Sequence, residues 1–175
     1  NGALGNTALE VSLGMASSNN DAAILIGGAY TVGRIIRLPS ANTTDTGTRV
    51  LALGGNTANN SEFSGNIILG TDSQAGRGVT LTAAAAGQVT FSGAIQNPAS
   101  MDATAYTVTK AGAGTVILSG ANLYTGATLV SSGTLLVNGS LAAASAVTLI
   151  GGTLGVRGRC SGAVTNNSGT IAPGL

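Results

Sequence analysis

Gly114-Thr115-Val116, Gly133-Thr134-Leu135, Gly152-Thr153-Leu154 and Gly169-Thr170-Ile171 repeat one tripeptide, Gly-Thr-aliphatic, at spacings of 19, 19 and 17 residues. A unit this short cannot bury a core of its own. It has the length of one coil of a solenoid, which is stable only when neighbours stack. Setting the Gly-Thr steps in register stacks Val116, Leu135, Leu154 and Ile171 in one column. Two residues on, it stacks Leu118, Val137 and Val156. A strand alternates its faces with period two, so both columns share one face. Two aliphatic columns renewed at every coil are what the interior of a parallel β-helix requires. Gly114, Gly133, Gly152 and Gly169 then mark the corners, where a residue without Cβ allows a tight turn. A third column, Val130, Leu149 and Asn166, precedes each step, and Asn166 either turns outward or begins a polar stack.

The rest of the 175-residue chain agrees with many short strands. Hydrophobic residues are 43% and mean hydropathy is +0.38, so the chain can fold despite 28 glycines. Segments such as Ala22–Ile26, Tyr30–Ile36, Val79–Thr82, Gln88–Phe91 and Tyr106–Thr109 alternate and end at Gly, Asn or Ser. Two stretches carry helix formers. Ser140–Ala146 is too short and reads as a loop or a single turn. Ala83–Ala86, with strands on both sides, reads as a tight corner. Upstream, Thr80-Leu81-Thr82 to Ser92-Gly93-Ala94 aligns with Thr107-Val108-Thr109 to Ser119-Gly120-Ala121 at an offset of 27, and Phe63-Ser64-Gly65 aligns with Phe91-Ser92-Gly93 at 28. At roughly 20–25 residues per coil, with coils ~4.8 Å apart, the chain makes about seven to nine coils and a rod roughly 35–45 Å long. The fold expected is all-β, a single-stranded parallel β-helix.

The longest ordered motif is Lys110-Ala111-Gly112-Ala113-Gly114-Thr115-Val116-Ile117-Leu118-Ser119-Gly120-Ala121-Asn122-Leu123-Tyr124-Thr125-Gly126-Ala127-Thr128-Leu129-Val130, continued by Ser131-Ser132-Gly133-Thr134-Leu135. It resembles the autotransporter-associated β-strand repeat, or passenger-associated transport repeat, K-x-G-x-G-T-L-x-L-S-G-x-N-x-Y-T-G-x-T-x-V followed by x-x-G-T-L. The tail through Ala172-Pro173-Gly174 is similar to the stretch that follows such repeats. Residues 110–175 therefore read as the repeat and its following coils, and residues 1–109 as irregular coils of the same solenoid. The resemblance implies a right-handed helix, secreted by or displayed on the surface of a Gram-negative-type bacterium, with no catalytic residues to carry over. Within the motif, Asn122 and Asn138 suit left-handed corner positions with stacked amides. Tyr124 is placed to close an interior edge with its hydroxyl in water.

Composition weighs against most chemistry. Charged residues are 7%, net charge is +1 and the seven Lys and Arg are scattered, so no nucleic-acid or anionic-membrane patch forms. No apolar run approaches the ~20 residues of a membrane-spanning helix. There is no His to act as a general base, and the six acids are spread from Glu10 to Asp102. Asp45 and Asp72, 27 apart, could in principle stack on adjacent coils, against the plainer reading of solvated loop acids. Gly54-Gly55-Asn56 and Gly151-Gly152-Thr153 lack the Asp of a calcium-binding nonapeptide, and neither Gly76-Arg77-Gly78 nor Gly112-Ala113-Gly114 continues as a phosphate loop. Triplets at Asn42, Asn59, Asn138 and Asn166 match the glycosylation pattern at the frequency chance gives in so Asn- and Thr-rich a chain. Cys160, the one cysteine, is free to pack or to pair between chains, and Arg157 and Arg159 beside it would lower its pKa. The chain opens at Asn1 and closes mid-pattern at Leu175, which reads as a segment or processed product of something longer.

The reading is a structural, non-enzymatic β-helix needing no cofactor and no metal. Its expected partner is itself, head to tail, or the flanking repeats of a longer chain. An adhesin for glycans or matrix is the alternative, with Tyr30, Phe63, Phe91, Tyr106 and Tyr124 as its available aromatics. A polysaccharide lyase or hydrolase comes third.

Overall fold

A computed structural model of the chain describes residues 10–13, 21–38, 50–70, 78–98 and 105–175. After β1 (Val11–Ser12), the described strands fall into triplets, one triplet per coil. The first coil holds β2 (Ala22–Ile26), β3 (Thr31–Val32) and β4 (Ile36–Arg37), and the second β5 (Leu51–Gly55), β6 (Asn60–Phe63) and β7 (Ile67–Ile68). The third holds β8 (Gly78–Ala83), β9 (Gln88–Phe91) and β10 (Ile95–Gln96), and the fourth β11 (Thr107–Ala111), β12 (Thr115–Leu118) and β13 (Ala121–Asn122). Then come β14 (Thr128–Val130), β15 (Thr134–Val137) and β16 (Ser140–Leu141), followed by β17 (Val147–Leu149), β18 (Thr153–Val156) and β19 (Arg159–Cys160). The last coil has β20 (Val164–Asn166) and β21 (Thr170–Pro173).

Corresponding strands stack into parallel sheets. Two sheets of seven strands run the length of the described solenoid, in the orders β2-β5-β8-β11-β14-β17-β20 and β3-β6-β9-β12-β15-β18-β21. The third face is divided between β1-β4-β7-β10 and β13-β16-β19. It continues across the division, because Leu123 N donates to Ile95 O at 2.8 Å. The described coils thus number seven, the lower bound of the sequence expectation. Six steps of ~4.8 Å separate the first from the last.

The Gly-Thr register is the one the structure adopts. Val116 pairs with Leu135, Leu135 with Leu154 and Leu154 with Ile171. Leu118, Val137 and Val156 follow in the second column. Val116, Leu118, Leu135, Val137 and Leu154 are buried, and Val156 is partly buried against them. Ile171 keeps 43% of its surface exposed, because its coil has no neighbour on the far side. Upstream the same columns continue as Val89 and Phe91, then Ser61 and Phe63. The Phe63 and Phe91 rings stack with centroids 4.9 Å apart and planes 4° from parallel, the geometry one coil step imposes.

Three expectations need revision. The offset of 27 holds on the face of β9 and β12, where Phe91 pairs with Leu118, but the facing strands β8 and β11 pair Thr80 with Thr109, an offset of 29. The two extra residues lie between Thr82 and Gln88, where five residues span the turn that Gly112–Gly114 makes with three between Ala111 and Thr115. A shift of two keeps every side chain on its face, so the alternation alone could not detect it. Tyr30–Ile36 is two strands, broken by a bend at Arg34. Ser140–Ala146 begins with β16 and only then turns, with Ser145 N donating to Ala142 O at 3.0 Å. Several two-residue strands of the third face were invisible to an alternation rule that needs about four residues.

Burial per column position sets stability. Leu135→Ala, sandwiched between Val116 and Leu154, is expected to cost about 2–5 kcal/mol. Ile171→Ala, in the same column at the open end, is expected to cost under ~1 kcal/mol. Urea denaturation of the two variants measures the difference.

Candidate functional site

The interior of this rod is not uniformly apolar: apart from Ser61, its buried polar side chains among the described residues, Lys110, Asn122, Thr128 and Ser145, lie within residues 110–145. Lys110 lies inward on β11, in the column of Leu81 and Val130, and is 1% exposed. Its ammonium donates to three backbone carbonyls: Ala111 O at 2.7 Å, Gly112 O at 2.8 Å and Ser132 O at 3.0 Å. The first is the last residue of β11 and the second opens the corner after it, while the third belongs to the corner of the next coil. Return bonds close the clasp. Ser131 donates to Lys110 O from its N at 3.0 Å and its Oγ at 2.8 Å, and Ser132 Oγ donates to Gly112 O at 3.3 Å. Burial pulls the Lys110 ammonium down from 10.5 to about 8. Among the described residues no carboxylate pairs with it. Carbonyl dipoles take that role, as they do at the C-terminal end of a helix.

The corner glycines fit around this ammonium. Gly133 has φ +64°, and a Cβ there would stand 2.3 Å from Gly112 O, 2.5 Å from Gly114 O and 2.7 Å from Lys110 Nζ. Gly152 repeats the left-handed turn at φ +65°. Gly114 and Gly169 do not adopt it. In the Gly114 coil the positive φ belongs to Gly112, and Gly114 is required because a Cβ would lie 2.1 Å from Ala84 O. The turn glycines therefore serve two needs, handedness at some corners and closeness at others.

Two further polar groups bridge coils nearby. Asn122 is 1% exposed and sits between Ile95 and Leu141 along the axis. Its Oδ1 accepts from Ile95 N at 3.1 Å, and its Nδ2 donates to Gly120 O at 3.0 Å and Ser140 O at 3.1 Å. Neither Asn122 nor Asn138 has a positive φ. The expected left-handed corner and amide stack are thus replaced, at Asn122, by a strand residue whose amide ties three successive coils. Tyr124 is fully buried, contrary to the expectation of a hydroxyl in water. Its OH is 2.6 Å from Thr128 Oγ1, which is 3.0 Å from Ser145 Oγ. Burial raises the Tyr124 phenol to about 12.

The residues considered for other chemistry are dispersed. Glu10 forms a two-pronged ion pair with Arg37, 2.7 Å at each prong, which lowers the Glu10 pKa. Asp21 Oδ1 accepts from Val50 N at 2.6 Å. Asp45 and Asp72 lie outside the described residues, as do Asp102 and Asn42. Asn59, Asn138 and Asn166 are exposed, and Asn166 turns its Nδ2 to Gly169 O at 3.1 Å. Among the described residues, no three of His, Cys, Asp and Glu cluster as a metal site would need. Cys160 corrects an expectation. It takes the inward position of β19 in register with Leu141, and burial raises its pKa where the flanking arginines suggested a lower one. Of the five aromatics, Phe63, Phe91, Tyr106 and Tyr124 belong to the core, and Tyr30 alone is exposed, at 63%.

The fold defines a parallel β-solenoid whose polar interior is concentrated where its coils shorten. The model of the passenger-associated-transport-repeat matches residues 108–137. That stretch runs from β11 through β15. It contains Lys110, Ser131 and Ser132 of the clasp, Gly133, Asn122, Tyr124 and Thr128. Residues 108–137 therefore carry a repeat of the kind found in autotransporter passengers, which associates the chain with proteins delivered to the cell surface or beyond. No curated protein and no solved structure matches the chain.

Two predictions follow from this geometry. Lys110→Met keeps the stem but removes the three ammonium hydrogen bonds to carbonyls, and is expected to lose about 1–3 kcal/mol at pH 7. The unfolded lysine holds its proton to about 10.5 and the folded one to about 8, so the unfolded state binds more protons between these values. Native stability from this group rises through that window, and between pH 7 and 9.5 the gap to Lys110→Met widens by up to ~2 kcal/mol. Paired denaturation curves at pH 7 and 9.5 measure this, and the tyrosine ionisation common to both chains cancels in the difference. Separately, Gly133→Ala combines left-handed strain with three close contacts and is expected to cost more than ~3 kcal/mol, whereas Gly174→Ala, at φ +79° with nothing within 4 Å, is expected to cost about 1–2 kcal/mol. Thermal melts of the two variants check this ratio.

Proposed function

We propose that this chain is a non-enzymatic structural segment of a secreted or surface-displayed protein, a rod that acts as stalk, spacer or fibre element. The observation that carries this reading is the unbroken register of two seven-stranded sheets along one axis. Such a molecule transmits length and stiffness without a moving part. The dispersed acids, each described one engaged by a neighbouring donor, support a role without catalysis.

The C-terminal end of the solenoid presents the unpaired edges of β19, β20 and β21, with Val164 41% and Ile171 43% exposed in interior columns. An edge of this kind accepts another strand. It suits a further coil, supplied by a following repeat of a longer chain or by a second copy in head-to-tail contact. That contact does not close on itself, so it propagates. Negative-stain electron microscopy of the concentrated 175-residue chain is expected to show rods that lengthen in steps of one chain. Dispersed single-length particles at every concentration would exclude the filament. A reducing-end assay on pectins and related polymers is expected to give no activity, and release of ends would overturn the non-enzymatic reading.

A further inference from the structure

Tyr30 is the aromatic residue that the core does not take, and its setting is built. The ring lies back over Gly28, where a Cβ would stand 2.6 Å from Tyr30 Cε2 and 3.1 Å from Cδ2. Tyr30 N donates to Gly28 O at 3.0 Å, which holds the turn that places the ring there. The Cε2 side of the ring therefore rests against glycine and the side chain remains 63% exposed. A large aromatic held against a residue without a side chain is a platform, not a core residue left over.

The platform borders a cleft of about 280 Å³ on the outer face of β3, β6 and β9, lined by Tyr30, Thr31, Asn60, Glu62 and Thr90 among others. Thr31, Glu62 and Thr90 are in register on successive coils, and the next residue in that row is Ile117, where the polar ladder stops. Glu62 is held from both sides: Ser92 Oγ donates to Oε1, and Thr31 Oγ1 donates to Oε2 at 3.5 Å. Both hydroxyl protons are thus directed to the carboxylate, which is fixed in place and still has acceptor capacity. Asn60 adds an exposed amide that can donate as well as accept.

We propose that this cleft binds a neutral saccharide. A sugar ring offers an apolar face of C–H groups for the tyrosine platform and hydroxyls that both donate and accept. A fixed carboxylate beside an amide and a ladder of threonines matches that demand. Acidic sugars are disfavoured, because the cleft lining among the described residues holds a carboxylate and no cation. An amine ligand would meet one aromatic wall where a cation-binding cage has several. The size suits one or two rings, slightly below the roughly 300–1,000 Å³ of drug-sized sites. The inference does not depend on the rod reading, since a stalk with a sugar-binding flank and a stalk without one share the same solenoid.

Tyr106 and Tyr124 are buried and the chain has no Trp, so iodide quenching of tyrosine fluorescence reports on Tyr30. The 175-residue chain would be titrated with cellohexaose, maltohexaose and laminarihexaose, and with hexagalacturonate and the chitosan hexamer as charged probes. At least one neutral hexaose is expected to protect Tyr30 from iodide. Calorimetry is expected to show binding of that hexaose weakened about tenfold or more by Tyr30→Ala and by Glu62→Gln, with unchanged circular dichroism. Gly28→Val, which displaces the ring and leaves it in the chain, is expected to weaken binding as well. Absence of binding by every neutral hexaose, stronger binding of either charged probe, or wild-type affinity in Tyr30→Ala would each overturn the proposal.

Discussion

Each coil of this solenoid leaves one row of backbone groups and one row of side chains that only the next coil can cover. Everything else in the structure answers that constraint. The ladder of parallel hydrogen bonds satisfies the backbone, and the columns through Val116, Leu135 and Leu154 satisfy the side chains. Both work only if successive coils return to the same register. Corner length is therefore the controlled variable, and corner glycines are its means of control.

The Lys110 clasp shows how that control is enforced where coil length changes. Upstream, Phe63 to Phe91 takes 28 residues, and downstream, Leu118 to Val137 takes 19. The change falls within the matched repeat, between the coils of β11 and β14. There an ammonium with no carboxylate partner among the described residues is buried against carbonyls of two successive corners. A buried charge is a costly device for cohesion, and leucine at this position would supply more apolar contact. What the lysine adds is specificity: its bonds are made only when the two corners stack in one register. Asn122, bonded to the coil on each side, adds the same kind of constraint on the third face. The concentration of these groups in residues 108–137 gives the repeat motif a physical meaning, since its Lys, Gly, Asn and Tyr positions are those that join coils.

Much of this was legible in the sequence. The period of 19 and the alternation within each strand fixed the inward columns, and a register confirmed at Leu135 and Leu154 follows from those two facts alone. The stacked phenylalanines followed from the offset of 28. The polar interior was not legible for an equally physical reason. Lys110, Asn122 and Tyr124 were read by residue type, as a motif letter, a corner amide and an amphipathic lid. Their burial depends on partners that lie about 20 residues away and are mostly main-chain carbonyls, which leave no trace in composition. Lys110 also stands one residue further from its Gly-Thr step than Val130 does, so a fixed-spacing column passes beside it. Cys160 was misread similarly: its charged neighbours are exposed, and its own position on β19 is inward.

The account stands on coil-to-coil register, and cross-linking measures it directly. In a Cys160→Ser background, Thr115→Cys with Thr134→Cys places two thiols on adjacent strands at a Cα separation of ~4.8 Å, within the usual disulfide range of roughly 4.4–6.8 Å. Thr115→Cys with Thr153→Cys places them two coils apart, at ~10 Å, beyond the ~7 Å that a disulfide can bridge. Mild oxidation of the folded monomer is predicted to close the first pair and leave the second reduced. Closure of the second pair, or failure of the first, would contradict the stacking order on which the rod, its clasp and its core columns all rest.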